Sequence, residues 1–319
     1  MTSLPTTTWR WPMTTGGISD KLWKQYRDFM NFGYPIASSL LCLVGTMTNS
    51  ASMFYFIKKQ DKTLGDKLLM LLNSMDLLLC IFALAISILQ SSMFGGGLSQ
   101  DENALIAYYS ICIFYILMVD GTAYATCLLS VTRTIRIASP FYQVKGKLLV
   151  KTGIIVFIVM EAASAAIAIL APGSRVLGYP IKMNYLITRI VTTSLLILVV
   201  VSATVIAVYK LTREDLQGGE GRVSRNNRKA TWTVVILSTL FFFFNSILLA
   251  ITAFVLHSII HKVDRLVSMF IALYGATFVA IPLNSAINPI VYLVRKRDMR
   301  LFFTQGFQSM FQFGQRDTS

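Results

Sequence analysis

Three carboxyl side chains lie inside long apolar stretches of this chain: Asp76, Asp120 and Glu161. An ionisable group at bilayer depth costs about 2.5–3.5 kcal/mol on insertion scales, so each calls for a partner or a function. Asp76 stands amid Leu71-Leu72-Asn73-Ser74-Met75-Asp76-Leu77-Leu78-Leu79. Polar groups that could meet it come from other apolar runs: Asn49, Thr122, Asn284, Ser285 and Asn288. A carboxylate among neutral oxygens suits a hard cation or water, since such ions prefer oxygen ligands. The same set equally suits a protonated or water-satisfied carboxyl that only joins helices. Asp120 and Glu161 either face one another across the third and fourth runs or stay protonated. Arg133 ends the third run, in Ser130-Val131-Thr132-Arg133-Thr134-Ile135-Arg136. Taken alone, a basic residue at a helix end snorkels to the interface.

These groups need helices to carry them. Of 319 residues, 55% are hydrophobic and 14% charged, against roughly 45–50% and 25% in soluble domains. That balance marks an integral membrane protein. Seven apolar runs, at 32–57, 68–92, 104–132, 149–171, 187–209, 231–256 and 266–294, each reach the roughly 20 residues a spanning helix needs. Short loops separate them, marked by Gly95-Gly96-Gly97, Pro172-Gly173 and Gly218-Gly219-Glu220-Gly221. No internal repeat is visible, which counts against a repeat-built transporter. The first 20 residues lack an apolar core with a cleavage site, so no signal peptide is expected. Cys42, Cys80, Cys112 and Cys127 all fall in apolar runs and read as small buried side chains rather than a disulfide framework.

The 29 lysines and arginines divide unevenly: nine fall on the N-terminal head and the second, fourth and sixth loops, the other 20 on the first, third and fifth loops and the tail. Cytoplasmic loops carry the basic excess. The head is therefore expected outside, the tail inside, and the number of spans odd. The net charge of +14 serves orientation and anionic lipid, and no nucleic-acid partner is expected.

Late in the seventh run comes Leu283-Asn284-Ser285-Ala286-Ile287-Asn288-Pro289-Ile290-Val291-Tyr292. Pro289 cannot donate a backbone hydrogen bond, so the helix should bend or loosen there. The carbonyl it frees needs a neighbouring helix, a polar side chain or water, and Asn284, Ser285 and Asn288 are placed to help. Beyond Tyr292, residues 293–303 form a basic amphipathic stretch suited to a membrane surface.

Taken in chain order, Asn49, Asp76, Arg133 and Asn288-Pro289-Ile290-Val291-Tyr292 resemble the motif set of the rhodopsin-like (class A) G-protein-coupled receptors, over about residues 32–303. Asn284 before Asn288, Ile137 and Pro140 after Arg133, and Arg228-Lys229-Ala230-Thr231 leading to Phe241 extend the resemblance. It implies an all-α membrane protein: a seven-transmembrane helix bundle with a short amphipathic eighth helix, in the plasma membrane. Residues 1–31 would be extracellular, 32–294 the receptor domain, and 295–319 the amphipathic helix and cytoplasmic tail. An extracellular ligand would bind among the outer helix halves. The sixth helix would then swing out and expose Arg133 to a heterotrimeric G protein, with Tyr292 and Tyr209 stabilising the open state. Asp76, Thr122, Asn284, Ser285 and Asn288 would hold a sodium ion at rest; no other cofactor is implied. The outer pocket would involve Tyr115, Ile116, Val119, Asn245, Leu248 and residues around Phe270–Tyr274, with Asp120 deeper and able to pair with a small cation. Tyr115 stands where amine receptors carry an aspartate, which argues against a biogenic amine.

The chain also departs from the pattern. Thr132-Arg133-Thr134 replaces Asp-Arg-Tyr, and Asn227 stands where some members place an acid, so raised basal activity is expected. Asn245 and Ile247 replace the sixth helix's Trp and Pro, and Val201 the fifth helix's Pro. Tyr108 replaces the third-helix Cys, removing the usual outer disulfide. An opsin is excluded by the absence of lysine between Arg265 and Arg295. Intramembrane hydrolases need paired acids, a Ser-His pair or a metal cluster, and the only histidines are His257 and His261, in the sixth loop. The alternative that stays open is an ion or proton transporter or channel using Asp76, Asp120 and Glu161 as a relay.

Overall fold

The computed structural model describes residues 33–94, 102–138, 146–170, 173–176, 179–216, 222–261 and 267–305. They form α1 (Tyr34–Lys58), α2 (Leu64–Phe94), α3 (Glu102–Ala138), α4 (Gly146–Leu170), β1 (Gly173–Val176), β2 (Tyr179–Lys182), α5 (Met183–Leu216), α6 (Arg222–His261), α7 (Val267–Arg295) and a short α8 (297–305). Among the described residues, five segments are long and apolar enough to cross a bilayer: Tyr34–Lys58, Leu64–Leu89, Ser110–Ala138, Leu186–Arg213 and Thr231–Phe254. Val279–Arg295 is a shorter apolar helix. The chain is a multi-pass helical membrane protein. The expected head 1–31, the Gly95–Gly97 and 218–221 loops and the tail beyond 305 lie outside the described residues.

The reading of a wholly helical chain is corrected at one place. β1 and β2 pair antiparallel, Gly173 opposite Lys182 and Val176 opposite Tyr179. Pro172-Gly173 cannot continue α4, and Val176, Tyr179 and Ile181 favour extended backbone.

The helices close into a ring in which α1 packs on α2 and α7, α2 on α3, α3 on α5, α5 on α6, and α6 on α7. α3 also touches α6, and α4 lies outside the ring against α3 and α5. Lipid tails are as apolar as leucine, so close approach rather than hydrophobicity holds such helices together. Gly45 is one such approach: an added Cβ would sit 2.5 Å from Cys80 Sγ and 3.5 Å from Ala286 Cβ. Toward one end a core forms from Phe56, Leu68, Leu72, Leu129, Leu237, Tyr292 and Met299, with Phe302 and Phe303 of α8 packed against it. The four cysteines are free; Cys42 and Cys80 are buried, Cys112 and Cys127 half-buried.

Candidate functional site

Asp76 is fully buried, and both its oxygens accept hydrogen bonds from two other helices. Thr122 of α3 donates to Oδ1 at 3.1 Å and Ser285 of α7 to the same oxygen at 2.8 Å. Asn288 of α7 donates through Nδ2 to Oδ2 at 2.7 Å. Three of the five oxygen-bearing residues proposed around Asp76 thus converge on it. Asn284 does not bond the carboxylate, yet its Oδ1 is buried with no partner among the described residues. Asn284, Ser285 and Thr122 line a cavity of about 20 Å³, where one water needs roughly 10–15 Å³. An orphaned carbonyl oxygen and two hydroxyls around so small a space, with the Asp76 carboxylate bonded to both hydroxyls, fit water or a bare hard cation.

α7 stays helical through Pro282 and Pro289. In an α-helix the N–H of residue 289 would bond the carbonyl of Ser285; proline has none to give. Asn49 Nδ2 of α1 donates to that carbonyl at 3.2 Å, and to its own Gly45 carbonyl at 2.8 Å. The donor was expected from Asn284, Ser285 or Asn288. It comes instead across the helix interface, because the Ser285 and Asn288 side chains are spent on Asp76. Asn49 accordingly makes no hydrogen bond to Asp76.

At the other end of α2, a site absent from the sequence reading ties three segments. Thr63 and Asp66 form a reciprocal cap: Thr63 N donates to Asp66 Oδ2 at 3.1 Å, and Asp66 N to Thr63 Oγ1 at 3.2 Å. The same carboxylate takes Lys59 Nζ at 2.7 Å and Lys296 Nζ, between α7 and α8, at 2.6 Å. Lys296 also sits 4.9 Å from the Phe56 ring centre. Burial lowers the Lys296 pKa more than the carboxylate raises it; at Lys59 burial also acts to lower it, but the carboxylate prevails and the pKa rises. Arg133 rests beside this knot, since a Cβ on Gly65 would meet its Nη2 at 3.4 Å. Among the described residues Arg133 makes no ion pair.

Tyr292 is fully buried, edge-on to Phe56, and its hydroxyl has no hydrogen-bond partner among the described residues. Tyr209 is 62% exposed on α5. The structure therefore does not join the two tyrosines.

The expected outer pocket is brought together only in part. Val119, Asn245 and Leu248 line the cavity beside Asp76, so the expected ligand and cation residues share one space. Tyr115 and Ile116 belong to an apolar cluster with Leu79, Ala83 and Ile86. The side chains of Phe270 and Tyr274 lie outside the described residues. Asp120 is not among the residues that line this cavity; Arg189 of α5 bonds its Oδ2. Glu161 of α4 reaches the same carboxyl, so the two acids do face one another. Arg189, near the start of the fifth apolar run, lies inside α5. No protein-family model and no curated protein matches the chain.

Proposed function

We propose that this chain is a seven-span receptor of the rhodopsin-like kind, in the plasma membrane with its N-terminus outside, that turns binding of an extracellular ligand into activation of a heterotrimeric G protein. The observation that carries the reading is the convergence of Asp76, Thr122, Ser285 and Asn288 from α2, α3 and α7. Asp76 and Asn288 belong to the motif set, Thr122 and Ser285 stand out as polar side chains in apolar runs, and the four meet at one buried point. Seven long helices in chain order, followed by a short helix at 297–305, agree with it.

In this reading Asp76, Thr122, Ser285 and Asn284 hold a sodium ion, which supplies positive charge to a carboxylate otherwise stranded in low dielectric. Asn288 positions Asp76, and Pro289 leaves α7 one internal bond short, so the helix can change its packing at that level. Tyr292, whose buried hydroxyl has no partner among the described residues, would gain one by moving. Parting of α3, α5 and α6 would open an apolar groove rimmed by Arg133, Arg136, Lys210, Arg228 and Lys229, fit for an acidic-apolar helix of the partner. A ligand drives this only through its difference in affinity for the two states, typically about 1–3 kcal/mol.

The test is nucleotide exchange on a co-expressed G protein in membranes. Wild-type chain should raise exchange above membranes without it, and Arg133→Ala should abolish that rise. Undiminished exchange in Arg133→Ala would remove the proposed role. The transporter alternative is disfavoured by one observation: Asp120 and Glu161 share a cluster with Arg189, while the bonds of Asp76 go to Thr122, Ser285 and Asn288.

A further inference from the structure

The buried stripe of α6 runs Val234, Leu237, Ser238, Phe241 and Phe244, spaced so that all fall on one helix face. Leu237 joins the cluster of Leu129 and Tyr292, and Phe241 that of Ala123 and Val200. Ser238 is the polar exception between them. Its hydroxyl meets that of Ser130 on α3 at 2.9 Å, and both side chains are buried. Other polar side chains of α6 behave differently. The hydroxyls of Thr233, Thr239 and Thr252 and the amide of Asn245 donate to carbonyls one turn back in α6 itself. Ser238 instead bonds across to a neighbouring helix. One turn along α3, Thr134 places its hydroxyl 2.9 Å from its own Ser130 carbonyl and 2.8 Å from the Ala203 carbonyl of α5. Ser130 and Thr134 flank Arg133 in the sequence.

A bond between hydroxyls is short-ranged: it is gone once the oxygens part beyond about 3.5 Å. From 2.9 Å, a shift of under about 1 Å breaks it, whereas a gap of that size removes only about a quarter to a half of an apolar contact. The serine pair therefore marks the closed position more sharply than the packing around it. It carries no charge, so neither salt nor pH near neutrality weakens it. Polar pairs between membrane helices bias a packing equilibrium by about threefold on average, less than the roughly 5–150-fold typical of ligand coupling. Such a contact restrains α6 without fixing it.

We propose that Ser130 and Ser238 form a neutral latch holding α6 to α3, and that losing it raises the population in which the two helices have parted. The latch stands on the contact itself; its consequence for nucleotide exchange rests on the receptor reading.

Cys127 provides a native reporter. It lies three residues from Ser130, is free and half-buried, and packs against the cluster of Ala123, Val200 and Phe241 drawn from α3, α5 and α6. A charged methanethiosulfonate reacts with thiolate in water, so modification of Cys127 reports the parting of these helices. The full chain is labelled in lipid nanodiscs and the modified cysteine located by peptide mass spectrometry. Ser130→Ala and Ser238→Ala should each label Cys127 about threefold faster than wild type. The double variant should label no faster than either single, because both remove one shared contact. Thr239→Ala, whose hydroxyl bonds its own helix, should match wild type. In membranes with a co-expressed G protein, Ser238→Ala should raise basal nucleotide exchange by a similar factor. Wild-type labelling rates in both single variants, or multiplied effects in the double, would overturn the latch. If one alanine variant does not fold, the other carries the same expectation. Faster labelling beside exchange that is present but unaltered would overturn the link from latch to signalling. Faster labelling with no exchange in any variant would count against the receptor reading and leave the latch standing.

Discussion

Asn49→Ala isolates what a side chain on α1 does for a proline on α7. The substitution removes the donor to the Ser285 carbonyl, 3.2 Å away, which Pro289 leaves without its helical partner. A buried acceptor stripped of its donor costs about 1–3 kcal/mol, whereas polar pairs between membrane helices average nearer 0.6 kcal/mol. Alanine also deletes Asn49 Oδ1, itself buried with no partner among the described residues, which returns part of the loss. The net expectation is about 1–2 kcal/mol of destabilisation. A void left by the amide would add to this, so the single mutant alone does not identify the cause. Pro289→Ala does, because it restores an N–H that can bond Ser285. In that background Asn49→Ala should cost about 1 kcal/mol less, a coupling measurable by a double-mutant cycle in which the void cancels. Unfolding can be followed with a thiol-reactive dye, since Cys42 and Cys80 are free and buried and thiols react on exposure. Equal costs of Asn49→Ala in the Pro289 and Pro289→Ala backgrounds would refute the reasoning.

Asp66→Asn should lower thermal stability by about 1–3 kcal/mol, because two ammonium groups lose their acceptor; with its carboxylate gone, Lys296 should fall further in pKa and label faster with an amine-acylating reagent, read by peptide mass spectrometry. Gly153→Val should destabilise by about 1–3 kcal/mol through overpacking, and Leu128→Ala should rescue it, since the clash is with the Leu128 methyls; thermal midpoints of the single and double variants decide. In membranes co-expressing a G protein, sodium should lower basal nucleotide exchange in the wild type and lose that effect in Asp76→Asn; full sodium sensitivity in the variant would sink the cation site.

The legible part of the site was polar residues inside apolar runs. Asp76, Thr122, Ser285 and Asn288 stand out because each contradicts its surroundings, and burial forces such groups to find one another. Arg189 and Asp66 were missed for the opposite reason. Each lies at the end of an apolar run, where a charge reads as solvated, and only the packing of neighbouring helices decides whether it is buried. For Asp66 a signal existed: Thr63-Leu64-Gly65-Asp66 is a capping box, which places Asp66 in the first turn of α2. For Arg189 the signal was arithmetical, since two acids on facing helices called for a cation. The pairing of Tyr124 with Phe157 and of Leu128 with Gly153 was present as four-residue spacings, but two antiparallel helices can slide past one another by a turn without changing either spacing. Only the structure sets that register.

The surroundings of Arg133 bear directly on how firmly a resting state could be held. With Thr132 and Thr134 on either side, the guanidinium has no carboxylate in its own turn. The acid beside it in space is Asp66, and that carboxylate already takes two lysines and a threonine. A carboxylate shared among cations holds each less tightly than one committed to a single partner, and Lys59 and Lys296 repel Arg133 as they occupy it. If the chain is a receptor, the restraint on Arg133 is therefore weak by construction, and it improves only when Lys296 withdraws with the junction of α7 and α8. Lys296→Met should consequently draw Arg133 onto Asp66 and lower basal nucleotide exchange relative to wild type, whereas Asp66→Asn should raise it. The same direction of change in both variants would show that the two lysines and Arg133 do not compete for this carboxylate.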